Sequence, residues 1–507
     1  MPLFKTRSAA VYGIEAHPVD VEVDMYKGGM GQNFMLVGMP DTAVRESRER
    51  IKSAMVNSGL GYPNQAVTVN LAPAHVRKEG SGFDLPMALA ILGAMGKIAS
   101  LDRHISIGEL SLDGAIRPVR GALSVAVCAR ENKIENLIVP AENASEAAVV
   151  EGVRVFGVRH LAEVIAMLNK PEDFAPSRPA APAAARLTAE PEHDFRDVCG
   201  QTTARRALQV AAAGNHNVLM IGPPGSGKTM LAKRLAGILP NLTFEEAIET
   251  TRVHSIAGLL PPGGSLLRRR PFRAPHHSIS DAGLIGGGSG AARPGEVSLA
   301  HNGVLFLDEF PEFPRNVLEI LRQPIEDSSV TIARSGMSLS FPASFMLVAA
   351  MNPCPCGYYG DPTRECRCTP AVIQRYLGKI SGPLLDRIDI QIEVPAVPYK
   401  ELRAGEVAES SGDMLVRVER ARAVQAERGC TNSRMPTRMV RRQCALDESG
   451  ERVLEMSMRK MSLSARAHDR ILKVSRTVAD LDNSSNVSAK HVAEAIQYRS
   501  LDRNYWN

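Results

Sequence analysis

Apolar and polar positions alternate in two short segments of the first third of the chain, 19–26 and 66–73. This period of two predicts β-strands, and the short apolar segment 136–141 is predicted as a third strand. Segment 84–98 is apolar at almost every position, which predicts a buried helix, and Asp84 stands before the apolar run as its expected N-cap. Strands and a buried helix together predict a mixed α and β domain over residues 1–170.

Residues 171–194 are rich in proline and alanine and have no apolar period, which predicts an extended, mobile linker. Beyond the linker, predicted strands alternate with helices, one beginning at Lys228 and one near Asn316. This alternation is typical of a parallel α/β sheet, here over residues 195–400. Residues 401–507 are basic with helical periodicity, and predict a small helical domain. The predicted strands of the central domain are 217–222, 304–310 and 344–352.

The 507-residue chain is 44% hydrophobic, which is enough for two or three domains with their own cores. A net charge of +5 permits a nucleic-acid partner without requiring one. No stretch of about 18 apolar residues occurs, so we expect a cytoplasmic protein without a membrane partner. Four scattered cysteines fit buried core thiols better than a secreted disulfide framework. They are Cys128, Cys199, Cys430 and Cys444.

The segment GPPGSGKT follows an apolar strand and opens a helix, which is the setting that a phosphate-binding P-loop requires. Its glycines let backbone N–H groups face phosphates, and the helix N-terminus adds positive potential. Lys228 is expected on the β- and γ-phosphates of ATP, and Thr229 on Mg²⁺. The predicted nucleotide-binding residues are Gly222, Pro223, Pro224, Gly225, Ser226, Gly227, Lys228 and Thr229.

Polar residues end the next two predicted strands. Asp308 fits a Mg²⁺ ligand, and Glu309 fits the base that orients an attacking water. The alternative is a strand that ends in solvated acids. Asn352 ends the other strand and is expected to hold the water or sense the γ-phosphate, although an Asn-Pro turn is the simpler interpretation.

This set of motifs resembles the AAA+ ATPases. The resemblance implies that Val198 lies beside adenine, that Arg387 in GPLLDRIDI is an arginine finger, and that Arg466 in SARAHDR is a second sensor on phosphate. An arginine finger acts across a subunit boundary, which implies a ring, a homo-hexamer. A structural salt bridge for Arg387 and an exposed helix position for Arg466 are the alternatives.

Segment 330–343 alternates on both sides of a Ser-Gly turn and predicts a hairpin with Arg334 beside its tip. It resembles the pore hairpin of the AAA+ clade shared by MCM helicases and magnesium chelatase, which implies contact with a DNA backbone. The glycine-rich segment 281–303 takes the place of a flexible insertion in that clade. Upstream lies either a basic surface near the pore or a solvated charge run. Its arginines are Arg268, Arg269, Arg270 and Arg273.

The order of these motifs along nearly the whole chain is similar to the ComM (YifB) family of magnesium-chelatase-like AAA+ proteins. The resemblance implies a hexameric helicase that acts on single-stranded and branched double-stranded DNA. Such a helicase drives branch migration during natural transformation, with a recombinase as a further partner. It also implies an α/β fold with an N-terminal domain of the Lon, or ribosomal S5 domain-2-like, type and a C-terminal helical lid.

The segments that resemble those of the Lon catalytic dyad place Gly82 at the serine and Leu123 at the lysine. Ser81 and Lys78 lie nearby but out of register. A Ser–Lys dyad needs both groups within hydrogen-bonding reach, so the domain is expected to be non-proteolytic and to serve ring assembly or DNA contact.

Four cysteines form two C-x-C pairs directly after Asn352. Two such pairs can surround one tetrahedral Zn²⁺ as a small knuckle, although C-x-C is less usual than C-x₂-C. Loose thiols and two disulfides are the alternatives. The knuckle is expected either to stiffen a loop beside the ATP site or to present Tyr358, Tyr359 and Arg364 to DNA. The cysteines are Cys354, Cys356, Cys366 and Cys368.

Three functions therefore compete. The first is an ATP-dependent DNA motor, which Arg334, the cysteine knuckle and the basic lid favour. The second is a metal-insertion ATPase of the magnesium-chelatase type, which shares the core. The third is an ATP-dependent protease, which the residues at positions 82 and 123 oppose.

Overall fold

The computed structural model shows three regions in chain order, two built around β-sheets and one helical. It describes residues 3–26, 34–179, 193–261, 264, 266–288, 292–334, 337–362, 364–397, 408–461 and 463–501. Most of the predicted linker, residues 180–192, lies outside this part.

A seven-stranded mixed sheet forms the first region, in the order β3-β4-β2-β1-β5-β8-β9. Strands β1, β2 and β4 pair antiparallel. Strand β3 pairs in parallel with β4 at one edge. On the other side of β1, strands β5, β8 and β9 follow in parallel. The strands are β1 Phe4–Tyr12, β2 Glu15–Tyr26, β3 Phe34–Val37, β4 Ala66–Ala72, β5 His104–Ser106, β8 Asn136–Pro140 and β9 Arg154–Val158, with β6 Glu109–Leu110 and β7 Ile116–Arg117 as a separate short pair. The helices are α1 Thr42–Asn57, α2 Asp84–Ala94, α3 Ala122–Glu131, α4 Ala144–Ala147 and α5 Leu161–Asn169.

The three strands predicted in this region, β2, β4 and β8, are confirmed. In β2 the period of two buries Val19, Val21 and Val23 on one face. The predicted buried helix is also present as α2, but it ends at Ala94 rather than continuing to residue 98.

The expectation that Asp84 caps α2 is wrong. Phe83 occupies the N-cap position, and Asp84 is the first residue of the helix, with a fully buried side chain. Its carboxylate accepts hydrogen bonds from Ser47 and from Arg50 Nε at 2.7 Å. Burial raises the pKa of Asp84, whereas these partners oppose the rise. Asp84 therefore ties α1 to α2 instead of capping its own helix.

The second region is a five-stranded parallel sheet in the order β11-β14-β17-β10-β18. Strands β10, β14 and β17 are apolar and buried along their full length, as expected for a sheet covered on both faces. The strands are β10 Val218–Ile221, β11 Phe272–Arg273, β14 Val304–Leu307, β17 Met346–Met351 and β18 Ile390–Glu393, with short pairs β12 Gly286–Gly287 with β13 Arg293–Pro294 and β15 Ser329–Arg334 with β16 Met337–Pro342. The helices are α6 Thr202–Gly214, α7 Lys228–Leu235, α8 Phe244–Ala257, α9 Asp281–Ile285, α10 Glu296–Leu299, α11 Arg315–Ile320, α12 Arg322–Asp327, α13 Pro370–Leu377 and α14 Gly382–Leu385.

Five helices form the third region and pack against α6 and β18. A buried polar network joins the two regions: His216 Nδ1 lies 3.0 Å from Asp389 Oδ2, and Arg470 also donates to Asp389. The helices are α15 Ser411–Glu427, α16 Thr437–Gln443, α17 Glu448–Met461, α18 Ala465–Leu481 and α19 Ala489–Gln497. The mixed α/β fold with a parallel sheet and a C-terminal helical region is thus confirmed. Among the described helices, each is too short or too polar to cross a bilayer.

Candidate active site

The P-loop connects β10 to α7. Gly227 precedes the helix in the left-handed region, at φ 90°, which a residue without a Cβ adopts without strain. Lys228, the first residue of α7, is buried, and its Nζ donates to the carbonyl oxygens of Gly222 at 2.7 Å and Pro223 at 2.9 Å. Burial lowers the pKa of Lys228, and the nearby charge of Asp308 opposes this shift.

Three strand ends bring the other predicted residues to the P-loop. Because β14, β17 and β10 are parallel neighbours, their carboxyl ends meet at one edge of the sheet. Asn352 follows β17, and its Oδ1 lies 3.2 Å from Lys228 Nζ. Thr229 Oγ1 donates to Asp308 Oδ2 at 2.6 Å. A hydroxyl and a carboxylate in contact are oxygen donors suited to Mg²⁺, so Thr229 and Asp308 would hold the ion.

Glu309 extends away from this cluster. Its backbone has φ 51°, and its exposed side chain reaches His277, whose Nδ1 lies 3.0 Å from Glu309 Oε2. Sequence analysis did not assign His277 to the site. His277 follows β11, which pairs in parallel with β14, and so leaves the sheet at the same edge as Glu309. This pairing is visible only in the folded structure.

Val198 is buried in the main hydrophobic cluster, on the segment leading to α6. Three residues later, Gln201 Nε2 donates to the carbonyl of Ser226 in the P-loop at 2.6 Å. The segment predicted to lie on the adenine side is thus joined to the P-loop. The joining residue, Gln201, is not among the site residues predicted from the sequence.

Arg387 and Arg466 line a common cavity of about 310 Å³. Its other basic residues are Arg434, Arg470 and Lys473, and none of the P-loop residues is part of the lining. Arg466 lies 3.5 Å from Asp386, and Arg387 pairs with Glu326. The structure therefore brings these two arginines together and places them apart from the phosphate cluster of Lys228.

Two arginines of the predicted basic surface hold parts of the core together. Arg270 donates to Pro240 O and Asn302 O, both at 2.8 Å, and pairs with Glu246 at 2.8 Å, so its guanidinium ties loops together. Arg273 is held by two hydrogen bonds to Glu296 in the same way. Arg268 and Arg269 are exposed.

The predicted hairpin is present, with β15 and β16 in register from Ser329 opposite Pro342 to Arg334 opposite Met337. Residues 335–336 and the side chain of Arg334 lie outside the described part of the chain. Contact of Arg334 with DNA therefore stays a prediction.

The four paired cysteines converge. Their sulfur atoms lie within 4.8 Å of one another, and Cys354 Sγ is 3.3 Å from Cys356 Sγ and 3.7 Å from Cys366 Sγ. A tetrahedral Zn²⁺ with Zn–S bonds of about 2.3 Å requires sulfur separations of about 3.8 Å. The separations among Cys354, Cys356 and Cys366, 3.3 to 3.7 Å, are close to this value, and Cys368 lies within 4.8 Å of them. All four cysteines are free of disulfides.

The cysteine loop packs on the P-loop. A Cβ on Gly357 would lie 2.4 Å from Pro224 Cδ, so only a glycine allows this close approach. Arg364 lies over the Tyr358 ring and donates to its hydroxyl at 2.8 Å. These contacts favour the expectation that the loop stiffens the ATP site, because Tyr358 and Arg364 already bind each other.

The positions that resemble a Ser–Lys dyad carry no such pair. Leu123 is buried, and Ser81 donates instead to the carboxylate of Glu109. Lys78 is buried and donates to the carbonyl of Pro73. This part of the chain therefore has no activated serine at the predicted place.

Three family models match successive parts of the chain. "Subunit ChlI of Mg-chelatase" covers residues 21–143, "Magnesium chelatase, subunit ChlI" covers 194–402, and "Magnesium chelatase, subunit ChlI C-terminal" covers 408–499.

Among named proteins, the chain is similar to competence protein ComM of Haemophilus influenzae, with 42% identity over 99% of this chain and 98% of the relative. It is equally similar, at 42%, to the YifB protein of Escherichia coli over the same fractions. The magnesium-chelatase 38 kDa subunit of Rhodobacter capsulatus is 27% identical over 34% of this chain and 53% of that protein.

Proposed function

The chain belongs to the ComM family of magnesium-chelatase-like AAA+ proteins, and we therefore propose that it is an ATP-driven DNA motor. It would hydrolyse ATP in a homo-hexameric ring and promote branch migration when single-stranded DNA is integrated by homologous recombination. The proposed ATPase activity is supported by a cluster of four residues at one edge of the sheet, Lys228, Thr229, Asp308 and Asn352.

Each of these residues would have a separate role in ATP hydrolysis, set by its position. Lys228 would exchange its carbonyl partners for the β- and γ-phosphates, while Thr229 and Asp308 hold Mg²⁺, which neutralises phosphate charge. Glu309, exposed and held by His277, would orient the attacking water. Asn352 would fix Lys228 against the γ-phosphate.

The separate location of Arg387 and Arg466 supports a ring. Both arginines line a cavity that excludes the P-loop of their own chain. We therefore assign both to the nucleotide of a neighbouring subunit, which revises the expectation for Arg466 on the helical lid. In-trans arginines would make hydrolysis depend on assembly.

DNA contact is assigned to the pore hairpin, with Arg334 beside its tip, and to Arg268 and Arg269. Six copies of Arg334 would line a central pore with cations, which suits a phosphate backbone. Arg270 is left out of this set, because its guanidinium is committed to Pro240, Asn302 and Glu246. The relative named as a competence protein supports a role in natural transformation.

We also assign a structural Zn²⁺ to Cys354, Cys356, Cys366 and Cys368, since their sulfur separations suit one tetrahedral ion. The ion would fix the loop whose Gly357 touches Pro224 of the P-loop. Its role would be to support nucleotide binding rather than to take part in hydrolysis.

The test is ATP hydrolysis by the full chain with and without single-stranded DNA. Wild type is expected to be stimulated by DNA, Arg334→Ala to keep basal hydrolysis but lose stimulation, and Lys228→Ala to have no hydrolysis. Arg441→Ala, on the exposed helix α16, is the matched control for arginine removal.

Hydrolysis that ignores DNA in wild type would contradict the motor. That outcome would favour the metal-insertion ATPase instead, in line with the similarity to the magnesium-chelatase 38 kDa subunit.

A further inference from the structure

The N-terminal region and the ATPase core enclose a cavity of about 1120 Å³. From the N-terminal region it is lined by the end of β1, the start of α1, the loop before α2 and the loop before α3. From the core it is lined by Ile256 of α8, Arg293 of β13 and Leu339 of β16. The cavity therefore lies against one strand of the pore hairpin.

The junction that forms this cavity is built from specific contacts. Gly121 N donates to Ser255 Oγ at 3.1 Å, and Arg252 of α8 donates to Ile14 O at 2.5 Å. A Cβ on Gly13 would lie 2.7 Å from Ser340 O, so the β1–β2 turn touches the middle of β16. These contacts hold the N-terminal region against both α8 and the hairpin.

The acidic side chains of the lining already have partners. Asp41 accepts from Val44 N at 2.8 Å and from Gly80 N at 3.1 Å. Glu109 accepts from Ser81, and Glu79 pairs with Arg77 at 3.3 Å. Their charges are therefore offset or turned toward local hydrogen-bond donors.

Three other arginines of the lining are different. The guanidinium groups of Arg45, Arg120 and Arg293 are exposed, and among the described residues none of them has an ion pair or a hydrogen bond. The hydroxyl of Tyr12 is also buried without a hydrogen-bond partner. Burial raises the pKa of Tyr12 to about 12, so the hydroxyl stays a donor at neutral pH.

We propose that this cavity binds the phosphodiester backbone of single-stranded DNA, with Arg45, Arg120 and Arg293 on phosphates and the Tyr12 hydroxyl donating to a phosphate oxygen. Three unpaired guanidiniums and an unpaired hydroxyl around one space are complementary to an anion with several acceptor oxygens. The cavity reaches Leu339 of β16, so a DNA strand held by the hairpin could pass into it. This inference rests on the proposed DNA motor and gives its N-terminal region a DNA-guiding role.

The positions that resemble the Lon dyad give this cavity no Ser–Lys pair for cleavage. Gly82 lines it where a serine nucleophile would be needed, and Ser81 is held by Glu109. Binding without cleavage of the bound strand is therefore expected.

The experiment measures the affinity of the full chain for a fluorescent 30-nucleotide oligothymidine by anisotropy, over a range of salt concentrations with a non-hydrolysable ATP analogue. The test variant is Arg45→Ala/Arg120→Ala/Arg293→Ala. The matched control is Arg103→Ala/Arg130→Ala/Arg159→Ala, which removes three exposed arginines of the same region outside the cavity. Basal ATP hydrolysis without DNA checks that both variants fold and assemble.

For single-stranded DNA, the slope of log affinity against log salt concentration becomes less steep by about 0.7 for each phosphate contact removed. The test variant is therefore expected to reduce the slope by about 2 and to bind on the order of ten-fold more weakly, whereas the control matches wild type. Tyr12→Phe is expected to weaken binding by a few-fold at an unchanged slope, because it removes a neutral donor.

Wild-type affinity and slope in the test variant would overturn the inference while leaving the DNA motor intact. A wild type that binds no oligothymidine would overturn the motor itself, so the two failures are distinct. A free nucleotide is the other source of phosphate. Thymidine monophosphate binding is therefore measured with Lys228→Ala, alone and combined with the triple arginine substitution. If the triple substitution abolishes binding of the monophosphate but leaves the affinity for oligothymidine unchanged, the DNA assignment is wrong.

Discussion

The guanidinium of Arg466 lies 3.5 Å from the carboxylate of Asp386, the residue directly before Arg387. A residue at the start of α18 and the predicted arginine finger are thus held on one surface. Because that surface excludes the P-loop of the same chain, a nucleotide in contact with both arginines would belong to a neighbour.

Subunit mixing tests this arrangement. Arg466→Ala and Lys228→Ala are each expected to lack ATP hydrolysis alone, with a loss of about 10³-fold or more for an arginine on phosphate. In mixed rings, an Arg466→Ala subunit keeps its P-loop and can receive Arg466 from a Lys228→Ala neighbour. Hydrolysis should therefore return in the mixture.

Arg387→Ala should behave identically in the same mixture. If Arg466 acts within its own chain, Arg387→Ala would be rescued by Lys228→Ala and Arg466→Ala would not. Arg459→Ala, exposed on α17 and paired only with Glu455 among the described residues, is the control for arginine removal from the helical region.

The contact between His277 and Glu309 predicts graded effects on hydrolysis. Glu309→Gln should lower kcat by about 10²-fold or more with ATP binding retained, since it removes the water-orienting base. His277→Ala should lower kcat less, because Glu309 would remain but lose its orienting partner. His277→Asn, which keeps a donor near the position of Nδ1, should recover part of the loss.

Steady-state kinetics with nucleotide-binding measurements separates these outcomes. His75→Ala, at an exposed histidine of the N-terminal region, is the control for histidine removal, because the neighbouring His276 packs on His277 with ring centroids 4.0 Å apart. Equal kcat in His277→Ala and wild type would show that the Glu309 carboxylate needs no support.

The approach of Gly357 to Pro224 predicts that Gly357→Ala disturbs the P-loop. The new Cβ would overlap Pro224 and also strain a backbone at φ 86°. We expect the KM for ATP to rise about ten-fold, equivalent to about 1.4 kcal/mol, with a smaller change in kcat. Gly360→Ala, also at positive φ but with open space around it, is the control for backbone strain alone.

Metal analysis separates packing from zinc binding. Gly357→Ala should keep about one zinc per chain, whereas Cys366→Ser/Cys368→Ser should lose it and raise the KM as well. Cys199→Ser/Cys430→Ser, outside the cluster, should match wild type in both respects. A wild-type protein without zinc, purified without chelators, would contradict the metal assignment.

Asp389 predicts a pH-dependent link between β18 and the helical region. Burial alone would raise its pKa, but Arg470 and His216 outweigh burial and hold the pKa below its ordinary value. The stabilisation is therefore complete above the unfolded-state pKa of about 4 and is lost as pH falls below it. At pH 7, Asp389→Asn should lower the free energy of unfolding by about 3 to 5 kcal/mol.

Urea unfolding at pH 7, 5 and 3.5 checks this prediction. The difference between wild type and Asp389→Asn should be present at pH 7 and pH 5, and should be smaller at pH 3.5 than at pH 5. Asp469→Asn, a more exposed carboxylate beside Arg470, should change stability little at any of these pH values. A difference that grows from pH 5 to pH 3.5 would have the wrong sign.

The elements and motifs that depend on neighbouring residues were predictable from the sequence. Alternation identified β2 and β4, a short apolar run identified β8, and the setting of GPPGSGKT between β10 and α7 identified the P-loop, because these signals lie within a few consecutive residues. The clustering of four cysteines within 15 residues also made a common site predictable.

Contacts between residues far apart in the chain depend on the packing of the folded protein and were not predictable from the sequence. Asp84 has the sequence context of an N-cap, but its carboxylate binds Arg50 on another helix. His277 meets Glu309 because two short parallel strands end side by side, and Arg466 joins Arg387 because α18 packs beside β18. Such contacts depend on how whole elements pack, and packing energy is shared among many residues, so no local pattern of the sequence records it.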